Sequence, residues 1–324
     1  MKKTALLSLS FFLFFSTIVI AQARIGSFLI YGKHKNLSKK SLEKFANSPV
    51  TYFIFEESDK YTKEDYEKLL KQVWKFTPYK IIQDKDIDNT IFKEGTSYAR
   101  FRNYIVYSQG ISTRATSSYH YLDFSVITKI TKDKIKKGKR IFDWRADRVG
   151  AIYFTADIPL RRQVVSGQDS LSGDLMNYRL GYLKNYLQFV NSSFEKKESF
   201  DTFDDYINKE KIGVLKNKTL YFSQNFIYSY SGKKVAKAKK QITEEELFID
   251  YQHKYEVIPD AELNEKILND EDFYYLVYHQ NAFIKVLSII NSKTGEVIYS
   301  KSKMMSYNLK PKDLKEISKK ISKY

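Results

Sequence analysis

The polar stretch richest in recognition chemistry is Phe142-Asp-Trp-Arg-Ala-Asp-Arg148, which gathers one of the two tryptophans with two arginines and two aspartates. A guanidinium lying over an aromatic face suits a sugar or a phosphate, because the planar fork donates several hydrogen bonds while the ring holds it in place. The same groups serve equally well as surface ion pairs flanking a strand. Arg161-Arg162, just after the turn Thr155-Ala-Asp-Ile-Pro159, has similar standing. The candidate ligand-binding set is therefore Trp144, Arg145, Arg148 and Arg161.

Other spacings carry less. Asp84-x-Asp86-x-Asp88 has the spacing that opens an EF-hand calcium loop, but Asn89 replaces the required glycine and Gly95 the bidentate glutamate. Its internal counterpart, Asp260-x-Glu262-x-Asn264, opens a predicted helix. Acidic groups there read as caps for free N–H groups. None of the four histidines, His34, His120, His253 and His279, stands four residues from another, so the two-imidazole zinc pattern is absent. His120 and His279 sit in tyrosine-rich strands and read as hydrogen-bonded packing residues. Gly167 and Gly173 stand six residues apart, one more than in a Walker loop, and Asp174 stands where a lysine must neutralise phosphate. No catalytic residue, metal site or cofactor is assigned.

The elements that must position these residues show a faint duplication. Val50 to Phe55 reads as a buried strand, Tyr61 to Phe76 as a helix, Tyr79 to Ile82 as a strand and Asp84 to Phe92 as a short helix. Thr219 to Phe222, Ile242 to Gln252, Tyr255 to Ile258 and Asp260 to Leu268 repeat that order. Tyr79 matches Tyr255, Ile82 Ile258, Asp84 Asp260, Ile87 Leu263 and Ile91 Ile267. Each half then runs into aromatic strands, and Gly295 closes a predicted hairpin turn at positive φ. Chance similarity of two ordinary α/β stretches is the alternative.

Between the halves, Lys136 to Arg140 forms a basic hairpin tip, and Leu171 to Phe194 has amphipathic helical spacing. Glu195 to Lys211 reads as the boundary. Pro311 to Ile321 is a short basic helix, packed as a cap. The expected fold class is α+β: two related mixed sheet/helix units with a helical insert between them. The expected boundaries are a leader at 1–23, a first unit at 24–160, an insert and linker at 161–211, and a second unit with its C-terminal helix at 212–324.

Lys2 and Lys3, the apolar run Ala5 to Ile20 and the exit Ala21-Gln-Ala23 make that leader a secretory signal peptide. Export removes most ATP-using, NAD-using and gene-regulatory functions. With no cysteine there is no lipid attachment, disulfide or thiolate chemistry. No later run is long enough to span a bilayer. Losing Lys2 and Lys3 takes the formal charge from +17 to +15. That charge fits an anionic surface, although lysine, isoleucine, tyrosine and asparagine also share A/T-rich codons.

Trp74-Lys-Phe-Thr-Pro-Tyr79, Phe154-Thr-Ala-Asp-Ile-Pro-Leu160, Tyr182-Leu-Lys-Asn-Tyr-Leu-Gln-Phe-Val-Asn191 and Thr294-Gly-Glu-Val-Ile-Tyr-Ser300 resemble segments of exported proteins of Bacteroidota-type bacteria. The resemblance spans most of the chain after the leader and implies an envelope location. It brings no known activity. The expectation is a non-catalytic binding or scaffold protein, periplasmic or extracellular, whose partner is an envelope protein or an anionic glycan or lipid surface. An envelope hydrolase of glycan or peptide and a non-specific binder of anionic polymers are the alternatives; specific nucleic-acid recognition is not expected.

Overall fold

The computed structural model describes residues 23–25, 37–55, 61–88, 91–109, 114–137, 139–157, 160, 174–199, 205–227, 242–280, 284–304, 306 and 308–324. The fold is α+β, built on two six-stranded mixed sheets. The first comprises β1 (Ala23–Ile25), β2 (Thr51–Phe55), β3 (Tyr79–Gln83), β4 (Ser97–Gln109), β5 (Arg114–Lys136) and β6 (Lys139–Phe154), in the order β1-β6-β5-β4-β2-β3. The second comprises β7 (Tyr206–Ile207), β8 (Leu220–Ser223), β9 (Tyr255–Ile258), β10 (Tyr274–Gln280), β11 (Ile284–Asn291) and β12 (Val297–Met304), in the order β7-β12-β11-β10-β8-β9.

The two orders are the same path drawn twice. In each, the second strand pairs in parallel with the third and fourth, and the last three form an antiparallel meander. In each, the first strand closes antiparallel on the sixth. Registers agree as well: Thr51 faces Tyr79 and Ser97, as Leu220 faces Tyr255 and Tyr274. Tyr79 and Tyr255, matched in the sequence, both open the third strand of their sheet.

Helices α1 (Lys39–Ala46) and α2 (Lys63–Val73) belong to the first unit, α4 (Glu244–Phe248), α5 (Asp260–Leu268) and α6 (Pro311–Lys323) to the second, and α3 (Leu180–Lys196) follows β6. Thr62 and Asp65 form a capping box that starts α2, and Tyr66, Leu69, Leu70 and Val73 supply its buried stripe. Pro311 in the first turn starts α6, and Leu314, Ile317 and Ile321 bury its apolar side. Two predicted helices are shorter than their patterns. Among the described residues, Asp84 to Phe92 yields 3-10 conformation at Asp84–Asp86 and Ile91, and Ile242 to Gln252 yields only the five residues of α4.

The acidic residues at these starts do not cap their own helices. The Asp84 carboxylate takes Nε and Nη2 of Arg100 at 3.1 and 2.7 Å. Asp260 accepts from Arg179 Nε (2.5 Å), the Tyr182 hydroxyl (2.6 Å) and Ser223 Oγ (2.9 Å). In both repeats the matched aspartate anchors an arginine.

Helix α3 differs most from expectation. It begins at Leu180, after an extended Arg179, and it is buried nearly all round. One face packs Tyr186, Val190 and Phe194 with Phe45, Trp74 and Phe124 of the first unit; the same core continues into Leu263, Ile267, Tyr275 and Val277 of the second. Polar residues on its second side are spoken for: Lys184 Nζ donates to the Ile267 carbonyl that ends α5 (2.7 Å) and pairs with Asp270 (2.8 Å). The molecule is therefore layered as sheet, helices, sheet, helices. The last layer is α4 and α6 over Leu220, Phe222, Leu276 and Ile289. In the repeat, α3 follows β6 as α6 follows β12. No described helix is long and apolar enough to cross a membrane.

Candidate functional site

The first sheet buries one face under α1, α2 and α3. Its other face carries the polar site. Strand alternation places Tyr98, Arg100 and Arg102 of β4 on that side, with Tyr121, Asp123 and Ser125 directly opposite on β5. A bulge between Phe124 and Ser125 brings Arg148 of β6 beside them.

The repeat explains why these residues are polar. The cross-strand pairs Tyr98–Ser125, Arg100–Asp123 and Arg102–Tyr121 occupy the positions of Tyr275–Ile290, Val277–Ser288 and His279–Val286. In the second sheet this face lies under α3 and α5, and all six residues are buried. In the first sheet the stretch matched to α5 holds a 3-10 turn at Asp84–Asp86, and Ile87, Ile91 and Phe92 pack on Ile54, Tyr98 and Ile127; no described α-helix covers the face.

A cavity of about 650 Å³ opens here, lined by Tyr98, Arg102, Tyr121, Asp123, Ser125, Ala146, Asp147 and Arg148, with Ser38 and Ser41 from the start of α1. Asp123 is buried and accepts from Arg148 Nε at 2.5 Å and Ser125 Oγ at 3.2 Å. The Arg148 guanidinium lies 5.4 Å over the Tyr121 ring. Burial alone would lower the Arg148 pKa, but the Asp123 charge and hydrogen bond outweigh it and hold it above the usual arginine value. Burial raises the Tyr121 pKa against the pull of Arg148 and Arg102. Asp147 takes the Ser41 hydroxyl at 2.8 Å.

Arg102 is arranged differently. Its guanidinium lies 5.9 Å over Tyr98 and has no carboxylate partner among the described residues. A half-buried cation held on a ring, in a cavity where Arg148 is paired with Asp123 and Asp147 takes only a hydroxyl, is set to receive an anion.

Of the four residues singled out in the sequence, this cavity contains Arg148. Trp144 is half-buried and stacks on Phe92, with centroids 4.7 Å apart and an interplanar angle of 15°. Arg145 is exposed on the opposite face of the same strand, beside Lys129. Arg161 lies outside the described residues. Sequence reasoning missed Tyr98, Arg102, Tyr121 and Asp123; the signal was available in Tyr98-Ala-Arg-Phe-Arg102, where polar and apolar residues alternate, and in Val277 and Val286, which stand where the first half has Arg100 and Tyr121.

The histidines do not join the site. His279 is buried, its Nδ1 within 3.0 Å of Thr155 Oγ1 and its ring 5.9 Å from Tyr153. His120 is buried between Tyr119 and Tyr121, and neither histidine lines the cavity. His253 Nε2 lies 3.1 Å from the Ser318 carbonyl and 3.2 Å from Ser322 Oγ, and His34 is outside the described residues. Among the described residues no group of three or more His, Cys, Asp or Glu is placed to hold a metal ion.

No known family, curated protein or solved structure matches this chain.

Proposed function

We propose that the protein is an exported, non-catalytic binding protein of the cell envelope, and that it takes a small anionic ligand in the cavity on the first sheet. Export rests on the leader and its Ala-Gln-Ala exit. The binding role rests on Arg102, a half-buried guanidinium with no carboxylate partner among the described residues, beside a cavity on a sheet face that no described helix covers. The pair Arg148–Asp123 fixes the cavity wall, and Ser38 and Ser41 offer hydroxyls at its rim. A carboxylate-bearing sugar fits this set: guanidinium for the acid, paired carboxylates and hydroxyls for the sugar hydroxyls.

Calorimetric titration with glucuronate, and with inorganic phosphate as a second anion, tests the reading. Saturable binding by the wild type is expected, with Arg102→Ala weakening it about tenfold or more, the usual cost of losing a charge-assisted hydrogen bond. Thermal stability should stay unchanged, because Arg102 has no carboxylate among the described residues to leave unpaired. Equal binding by Arg102→Ala and wild type would sink the assignment.

A further inference from the structure

Strand β4 pairs with β5 only as far as Ser97 opposite Val126; beyond that point β5 and β6 continue as a two-stranded ribbon to the turn at Lys137. The pairing register sorts its residues onto two faces. Ile130, Phe142 and Trp144 share one face, capped near the sheet by Phe92. Arg140 lies on that face too, over Phe142 at 5.2 Å and bonded twice to Asp133 at 2.8 and 2.9 Å, so its charge is spent. The other face carries Lys129, Lys132, Lys134 and Lys136 with Arg145, against the single acid Asp143, which takes Lys132 at 3.3 Å. Lys129, Lys134, Lys136 and Arg145 have no ion-pair partner among the described residues, and all are exposed.

We infer that this ribbon docks the protein on an anionic phospholipid surface. The array runs about 20 Å along the strands, taking roughly 3.3 Å per residue. Its charges are mainly ammonium groups, which suit a diffuse surface potential better than bidentate recognition of one phosphate. Ile135 decides between lipid and hydrophilic polymer. It stands 77% exposed near the tip, between Lys134 and Lys136 in the chain and opposite Arg140, so its side chain leaves the ribbon on the face away from the lysines. An apolar side chain in the middle of a basic tip gains free energy where it enters a lipid interface and nothing along a hydrated polyanion. Tip-first docking at a slant brings Ile135 and the terminal lysines into the headgroups, with Lys129 and Arg145 following along the basic face.

The test is co-sedimentation of the full chain without its leader, using phosphatidylcholine vesicles with and without phosphatidylglycerol. Sedimentation is expected only with the anionic vesicles and should fade as salt is raised. Replacing Lys129, Lys134 and Lys136 with Gln together should lower partitioning on the order of a hundredfold, from the loss of three surface cations. Ile135→Ser should weaken partitioning yet keep its salt dependence. All four side chains are exposed, so thermal midpoints should match the wild type. Arg102→Ala should partition like wild type, which separates failure of this inference from failure of the ligand site. The inference is overturned if wild type stays in the supernatant, if the triple variant sediments equally well, or if polyuridylic acid is bound while the vesicles are not.

Discussion

Burial takes the His279 pKa from the ordinary 6.5 to about 3, so the folded protein resists a proton that the unfolded chain accepts. Its contribution to stability is complete above the unfolded value and is lost as pH falls from there toward the folded one. The slope reaches about 1.4 kcal/mol per pH unit at most. Urea unfolding at neutral pH and at about pH 4 should therefore show a steeper loss in wild type than in His279→Gln; parallel losses would mean His279 is not buried neutral. Lys285 gives a second residue-level expectation. It is fully buried against Asp313 (2.5 Å) and donates to the Asn308 carbonyl (2.7 Å), and burial lowers its pKa against the pull of Asp313. Asp313→Ala strands that ammonium in the core and should cost about 3–5 kcal/mol in chemical denaturation. Adding Lys285→Met to Asp313→Leu should recover most of the loss, because two apolar groups need no partner. A milder single variant than double variant would contradict the pairing.

Among the elements, α3 was the hardest to read. Its apolar positions have helical spacing, but Lys184 and Asn185 look like a solvated face when they are in fact used inward. Lys184 holds the end of α5, and Asn185 bonds the Ser292 carbonyl and the Tyr275 hydroxyl. No local pattern announces a helix with two buried sides, because polar groups that reach partners far along the chain resemble polar groups that reach water. The hairpin at Asn291 to Gly295 was legible, since turn chemistry is local: Gly295 has φ +69°. A β-carbon there would also lie 2.5 Å from the Asn185 carbonyl oxygen, and one on Gly181 would lie 2.8 Å from that of Asn264. Gly295→Ala and Gly181→Ala should each destabilise the protein by about 1–3 kcal/mol. Unchanged urea midpoints would show that α3 does not sit as tightly between the sheets as described.

Across the whole molecule, the core that α3 shares makes two topologically equal units into one cooperative body. Leu263, Tyr275 and Val277 of the second unit are buried by a helix that the chain reaches before that unit begins. Thermal unfolding should show one transition, and a chain restricted to 212–324 should fail to fold; two separate transitions would refute the shared core. The duplication was legible in matched residues such as Tyr79 and Tyr255. What the halves do differently was not, because the cover on a sheet face depends on whether the third strand is followed by a nine-residue helix, α5, or by a 3-10 turn with Phe92 packed behind it. Hydrogen–deuterium exchange with and without solubilised envelope from its own cell tests the account most directly. Slowed exchange at 97–102, 121–125 and 146–148, absent in Arg102→Ala, is the predicted result. Protection confined to the second sheet, or identical in Arg102→Ala, would contradict it.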